Sequence, residues 1–476
     1  MEKTRRIVKL RIFLWLILAC FTGWLLYMGI VPNGKITYVC DFPEGNYYLA
    51  DPFKFIGKLM PSERVENIES NTQKMIGDPV YFSLRTPRKF EKAKVSFVYK
   101  NESERPLVEM GVLMDNAIWR YQLAPIENQI IDKLSLVWDV LEKDGVMLLQ
   151  REKKYESIDE FLASLPPAQE IALYNYNLKN DYTIADYEAG KNRQEMDYSL
   201  RGAYQFFTYL KNEDLDFNFT IEDLNENKDS DPVDVNLYYS DQLIASRHLP
   251  DGEGTREINF KESNLPEGVY KIELRADDDI ITKKISTAQN KISFLNKIWL
   301  ASEADENISL ITDSQFINAQ TINPKSLQVV RAGDKELDVN ETYKQFSLSA
   351  GASEKEIKAE KGDIIISGNG VFAFGQENFF NPNFKRVDEG FSLQAEGTNY
   401  ILAKYAKPLD KGNGWEEASA EFDLSNAYRE FNKNSFIISV PGLKADDDRQ
   451  DDLEIKEIKI ELAGKTLLEK LKEIFK

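Results

Sequence analysis

The sequence predicts a mainly β protein: an N-terminal transmembrane helix, then about three antiparallel β-sandwich domains, then a short amphipathic C-terminal helix. Three observations carry this. Residues 12–31 form an apolar run interrupted only by Thr22, Gly23 and Gly29. Period-two alternation of β-branched and aromatic residues dominates the remaining chain. Turn punctuation recurs at short intervals, while few stretches are long enough for helices.

The apolar run has the length of a bilayer's hydrocarbon core, about 30 Å at 1.5 Å per residue. Lys3, Arg5, Arg6, Lys9 and Arg11 precede it against a single Glu2. That bias holds the N-terminus in the cytoplasm and sends the bulk of the chain out of it. Trp24 and Tyr27 suit an interfacial aromatic belt. A cleaved signal peptide would be shorter and end in small residues. The run Ile17, Leu18, Ala19, Cys20 loosely resembles a lipobox, but the chain stays apolar after Cys20 instead of becoming a polar tether. An uncleaved single-pass anchor over 1–31 is the expectation.

The whole chain carries a net charge of −19, and the anchor region is itself basic. So acidic an exterior repels phosphate backbones, which argues against a nucleic-acid partner. The two cysteines lie inside the anchor (Cys20) and just beyond it (Cys40), so no disulfide framework is expected. His248 is the only histidine, which removes His-rich zinc sites and the usual haem ligation. No Gly-x-Ser-x-Gly elbow accompanies it, and its surroundings read as the end of a strand.

Residues 36–209 are expected to form a first sandwich. Its strands would include a pair at 79–85 and 94–100, then 108–114 and 119–123. A helical insertion lies near 157–165, where Ser157 and Glu160 form a capping box stopped by Pro166 and Pro167. A second domain spans 210–290 and a third 291–463, closed by an alternating strand at 453–462. In 465–476, Leu467, Leu468, Leu471, Ile474 and Phe475 share one face of a helix. That helix packs on its own domain, lies on the membrane or fills a partner's groove.

Two stretches carry a resemblance. Residues 265–274, Leu-Pro-Glu-Gly-Val-Tyr-Lys-Ile-Glu-Leu, look like the penultimate hairpin of bacterial Ig-like modules. Trp415, the stretches 418–424 and 435–440, and the closing strand are similar to jelly-roll, galactose-binding-like domains over roughly the final 85 residues. A chain of this plan resembles bacterial membrane-anchored surface proteins built from Ig-like and jelly-roll modules. The resemblance implies fold; it transfers no binding residue.

One segment has a metal-ligand schedule. Counting Asp223 as position 1, oxygen-bearing side chains fall at 1, 3, 5, 7, 9 and 12: Asp223, Asn225, Asn227, Asp229, Asp231 and Asp234. A calcium ion needs six to eight such oxygens at about 2.3–2.6 Å. Lys228 replaces the usual glycine at position 6, and an Asx-rich turn is the plainer reading. Two further acidic runs, Asp277 to Asp279 and Asp446 to Asp448 with Asp451 and Asp452, read as solvated loops, because successive residues of an extended chain point apart.

A glycosidase would need two carboxylates about 5–9.5 Å apart across a cleft, and nothing in the sequence selects such a pair. Trp119, Trp415, Tyr174, Tyr176, Tyr238 and Tyr239 could stack on sugars if exposed, whereas Trp299 reads as core. The expected function is therefore a non-catalytic envelope protein, membrane-bound through 12–31, whose modules bind glycan or another surface protein or act as scaffold, with calcium as the candidate cofactor that would stiffen the middle module. A carbohydrate-active enzyme with accessory jelly rolls, or an accessory subunit of an envelope-assembly complex, are the alternatives.

Overall fold

The computed structural model describes all residues except 1, 31–34, 41, 43–54, 69–71, 87–88, 104, 117–118, 180–181, 225–229, 302–306, 352, 389, 392–396, 444–451, 466–471 and 473–476. The fold is mainly β, with several antiparallel sheets and few helices. Glu2–Ile30 is helical, and its described side chains, at 9 and 11–25, are all exposed. Among the described residues, no helix is long and apolar enough to cross a membrane. The expected helix over 465–476 falls outside the described residues, except for Lys472 and Lys465, whose amine meets Glu91 at 3.2 Å.

The chain forms two compact units. The first comprises Met1–Asp115, Tyr121–Asn128 and Lys407–Lys476; the second comprises Asn116–Arg120 and Gln129–Ala406.

In the first unit, Lys92–Asn101 lies between Trp415–Asp423 and Leu453–Ala463, antiparallel to both. Lys35–Cys40 and Thr72–Met75 also pair with Leu453–Ala463. A second sheet holds Lys433–Ser439 between Val80–Arg85 and Leu107–Asp115, with Arg120–Asn128 beyond. The inward positions of both sheets meet in one core containing Phe82, Val95, Phe97, Met110, Phe422, Phe436 and Ile458. Phe422 packs edge-on against Phe436 across that core, ring centres 6.0 Å apart.

The expected pairing of 79–85 with 94–100 is corrected here. Each strand buries one face in the same core, but they do not bond to each other: Lys92–Asn101 has strands from beyond residue 414 on both edges, and Val80–Arg85 has Lys433–Ser439 on one edge and residues 55–60 on the other. The connection between them passes from one sheet to the other instead of closing a hairpin.

The second unit contains two bodies of strands and a small α/β sheet. Gly254–Glu262, Leu215–Asp223 and Ile280–Thr287 form one face of a sandwich, with Gln194–Met196 at its edge. Gln242–Leu249, Val233–Tyr239, Gly268–Arg275, Tyr204–Leu210 and Ile292–Leu300 form the other. Phe206, Phe217, Phe219, Val235, Phe260 and Ile272 fill the space between them. The strands of this sandwich extend on both sides of residues 210–290. Ile292–Leu300 pairs onward with Ile364–Ala373, leading into the strands over 308–373.

The helical stretch near 157–165 is Ile158–Ala163, and its cap is as the sequence reads: Ser157 Oγ accepts from Glu160 N at 3.1 Å. The Glu160 carboxylate turns back to Glu156 N at 2.9 Å. The helix does not sit in a sandwich. Phe161 packs with Tyr155, Leu148 and Tyr400 against a five-stranded sheet of Asp139–Lys143, Val146–Gln150, Ile171–Tyr174, Lys385–Arg386 and Tyr400–Ala403. Ile171–Tyr174 runs parallel to Tyr400–Ala403 and to Lys385–Arg386, a departure from the all-antiparallel expectation. Parallel neighbours need a crossover, and here some 220 residues separate them.

Candidate metal centre

Leu215–Asp223 alternates with Leu215, Phe217, Phe219 and Ile221 facing the core. Asp223 is the next position in that phase. After the loop, Asp231, Val233, Val235 and Leu237 are all fully buried, again at alternate positions. The turn between Gly268–Arg275 and Ile280–Thr287 contributes Asp277, Asp278 and Asp279, of which only Asp279 is buried. Leu224 N donates to Asp279 O at 3.1 Å, tying this turn to the end of Leu215–Asp223.

The result is a carboxylate cluster at one end of the sandwich core. One oxygen each of Asp223, Asp231 and Asp279 lie within 4.8 Å of one another. Asp231 has no solvent-accessible surface and Asp279 retains 5%. Among the described residues, no amide, hydroxyl or cationic donor meets a carboxyl oxygen of Asp231 or of Asp279, and the group beside Asp231 is another carboxyl, that of Asp277. Burial, and then the adjoining carboxyls of Asp277, Asp279 and Asp223, push the Asp231 carboxyl up to about 6.

The sequence schedule and the structure share two members of this set. Asp223 and Asp231 converge. Asp234 does not: it stands one residue out of phase, on the outer face, with Oδ1 2.7 Å from His248 Nδ1. Asn225, Asn227 and Asp229 lie outside the described residues. Asp279 and Asp277 were missed, having been read as part of a solvated run. Residues 277–280 form a turn, closed by Ile280 N donating to Asp277 O at 3.1 Å, so strand alternation does not govern where these acids point. The signal was the phase itself, since Asp223 and Asp231 continue core-facing alternations on either side of one loop. What the sequence does not carry is the pairing of Asp223 with Ile280, which brings the third acid alongside.

A second acidic grouping, Glu102, Asp452 and Glu454, lies in the first unit. It is answered by lysines: Lys74 Nζ lies 2.7 Å from Asp452, and Lys100 pairs with Glu102. Asp446 to Asp448 and Asp451 lie outside the described residues.

The aromatic candidates divide. Tyr174 is buried and Trp299 is core, as expected for the latter, with Nε1 3.2 Å from Asp363 and Arg201 over its ring. Tyr239 stacks on buried Tyr270, Lys271 covers Tyr238, and Lys456 lies over Trp415. Trp119 is largely exposed. Neither cysteine forms a disulfide.

No protein-family model matches this chain, and no curated protein matches it. Among solved structures, the infectious bursal disease virus VP2 subviral particle is similar at 8% identity, over 91% of this chain and 80% of that one, with a TM-score of 0.14. The structure of the infectious bursal disease virus Gt strain is similar at 8% identity, over 91% and 79%, with a TM-score of 0.14. Likeness of this degree carries no argument about function.

Proposed function

We propose that this chain is a single-pass, non-catalytic protein of the cell envelope, with its N-terminus cytoplasmic and its β modules extracytoplasmic. There the modules bind an envelope glycan or another surface protein, or hold such partners apart. The observation that supports this reading is the helix Glu2–Ile30. Ile12, Phe13, Leu14, Trp15, Leu16, Ile17, Leu18, Phe21, Trp24 and Leu25 point in every direction around it and all are exposed. A helix that is apolar all round is stable where its surroundings are apolar too. In the sequence the same run continues to Val31 and is preceded by five cations.

Protease added to intact cells expressing the full chain tests the topology. Loss of the 32–476 region from the cells, with the anchor left in the membrane fraction, is expected. Full protection of that region, or release of the untreated protein by alkaline carbonate, overturns it. Binding is tested by retention of the detergent-solubilised chain on immobilised envelope polysaccharides and surface proteins. Retention on neither class leaves the binding part of the proposal without support and overturns it.

A further inference from the structure

We propose that Asp223, Asp231 and Asp279, with Asp277 beside them, bind one calcium ion at the end of the sandwich core in the second unit. This goes beyond the proposed envelope role and does not depend on where the protein resides.

The argument begins with what these carboxylates lack. A buried ionised carboxyl without hydrogen bonds or a counter-charge is strongly disfavoured, and such groups are paired or coordinate metals. Asp231 is fully buried and Asp279 nearly so, and among the described residues neither meets a donor or a cation, Asp231 having only the Asp277 carboxyl beside it. They point at one another instead of at donors, so each worsens the other's position. A dication at their focus satisfies all of them at once. The cluster in the first unit shows the contrasting solution, with lysine amines neutralising Asp452 and Glu102.

The donor set narrows the ion. Oxygens within 4.8 Å of one another can share a single cation, and calcium, with bonds of about 2.3–2.6 Å, tolerates an irregular all-oxygen set. Magnesium holds its ligands at about 2.0–2.1 Å, demands near-octahedral order and keeps several waters. Three all-oxygen ligands drawn from two strand ends and a turn suit the larger, more tolerant ion. No thiol or imidazole belongs to the group, which removes the donors that zinc favours.

Binding would fasten three pieces of chain. Asp223 ends one strand, Asp231 precedes another, and Asp279 lies in the turn that joins two more. The ion therefore closes the sandwich at this end, in place of the apolar residues that continue the core elsewhere.

Calorimetric titration of the full chain in detergent with calcium chloride tests this, together with its melting temperature in EGTA and in millimolar calcium. One tight equivalent is expected, with a rise of about 5 °C on saturation and no comparable response to magnesium. Asp231→Asn and Asp279→Asn should each abolish the rise while melting no lower than the wild type in EGTA, because a buried charge has been removed. Asp278→Asn, at the exposed neighbour, should keep it. If the buried variants fail to fold, Asp277→Asn provides the reading, with affinity about tenfold weaker expected. A wild-type melting temperature indifferent to EGTA and calcium overturns the proposal. So does a calcium rise that survives in the Asp231→Asn, Asp279→Asn double variant, which would place binding elsewhere on the acidic surface.

Discussion

Asp234 and His248 face each other across adjacent antiparallel strands, with Oδ1 and Nδ1 2.7 Å apart on the outer face of the sandwich. Both are well exposed. Three residues earlier, Asp231 points the other way, into the core. The strand's period of two separates the acids of one loop into a surface pair and an inward cluster.

That separation makes a prediction about ligand identity. Asp234→Asn should leave the calcium response of the full chain unchanged. Its effect on urea unfolding should stay within about 1 kcal/mol, the usual worth of an exposed ion pair. Loss of the calcium response in this variant would restore the twelve-residue schedule as the true ligand set and discard Asp279.

Asp78 in the first unit predicts a pH dependence. Part of the residue's surface is accessible, but its carboxyl lies inside, where it accepts Val440 N at 2.7 Å. Burial pushes it up to about 6, against the opposing pull of Ser439, Val440 and Arg64. The folded state therefore holds its proton at a higher pH than the unfolded chain, whose ordinary value is 3.8. Between those two values the folded protein binds more protons, so this group's contribution makes stability rise as pH falls from about 6 towards 4. Above 6 the destabilisation is complete and flat. Melting temperatures of wild type and Asp78→Asn should differ by an amount that changes across this window and is constant above it. A constant difference from pH 4 to pH 7 would refute the assignment.

The local layer of this fold was readable and the long-range layer was not. Alternation in 215–221 and in 453–462 marks strands because each buried face must recur every second residue, and both strands are found. The cap at Ser157 is equally local, as one hydroxyl and one amide three residues on suffice to make it. By contrast, the partners of Lys92–Asn101 come from more than 300 residues away. No period or turn signal records such a pairing, because a strand's edge hydrogen bonds are made by backbone groups common to all residues. The same limit explains the site. Two of its acids are announced by their phase, while Asp279 joins them only through the pairing of Leu215–Asp223 with Ile280–Thr287.

Gly370 offers a test of close packing in the second unit. Its amide donates to Ser314 Oγ at 2.8 Å, and the next amide, Val371 N, donates to Asp313 Oδ1 at 2.9 Å. A methyl group at 370 would come within 2.5 Å of Ser314 N and 2.7 Å of Ser314 Cα. Backbone cannot move aside as a side-chain tip can. Gly370→Ala should therefore destabilise by about 1–3 kcal/mol, the common range for overpacking. Urea unfolding followed by tryptophan fluorescence would measure it. An unchanged midpoint would mean that the segment over 313–316 yields freely.

The discontinuity of the first unit sets the last prediction. Lys92–Asn101 buries Val95, Phe97 and Tyr99 and takes a neighbour on each edge from beyond residue 414. Truncation after residue 406 removes both neighbours together with Lys433–Ser439, the centre of the opposing sheet. What remains of the first unit would carry a long apolar strand with two open edges, the arrangement that templates aggregation. A fragment of residues 129–406 omits only Asn116–Arg120 of the second unit, and among the described residues the strand partners of its sheets lie within that range. Such a fragment should be soluble, resist limited proteolysis and unfold cooperatively, whereas a 32–128 fragment should aggregate. Co-expressing 32–128 with 407–476 should rescue it, since the missing edges are then supplied in trans. A 32–128 fragment that is folded and monomeric alone would show that the distant strands are an addition to the first unit's core and not part of it.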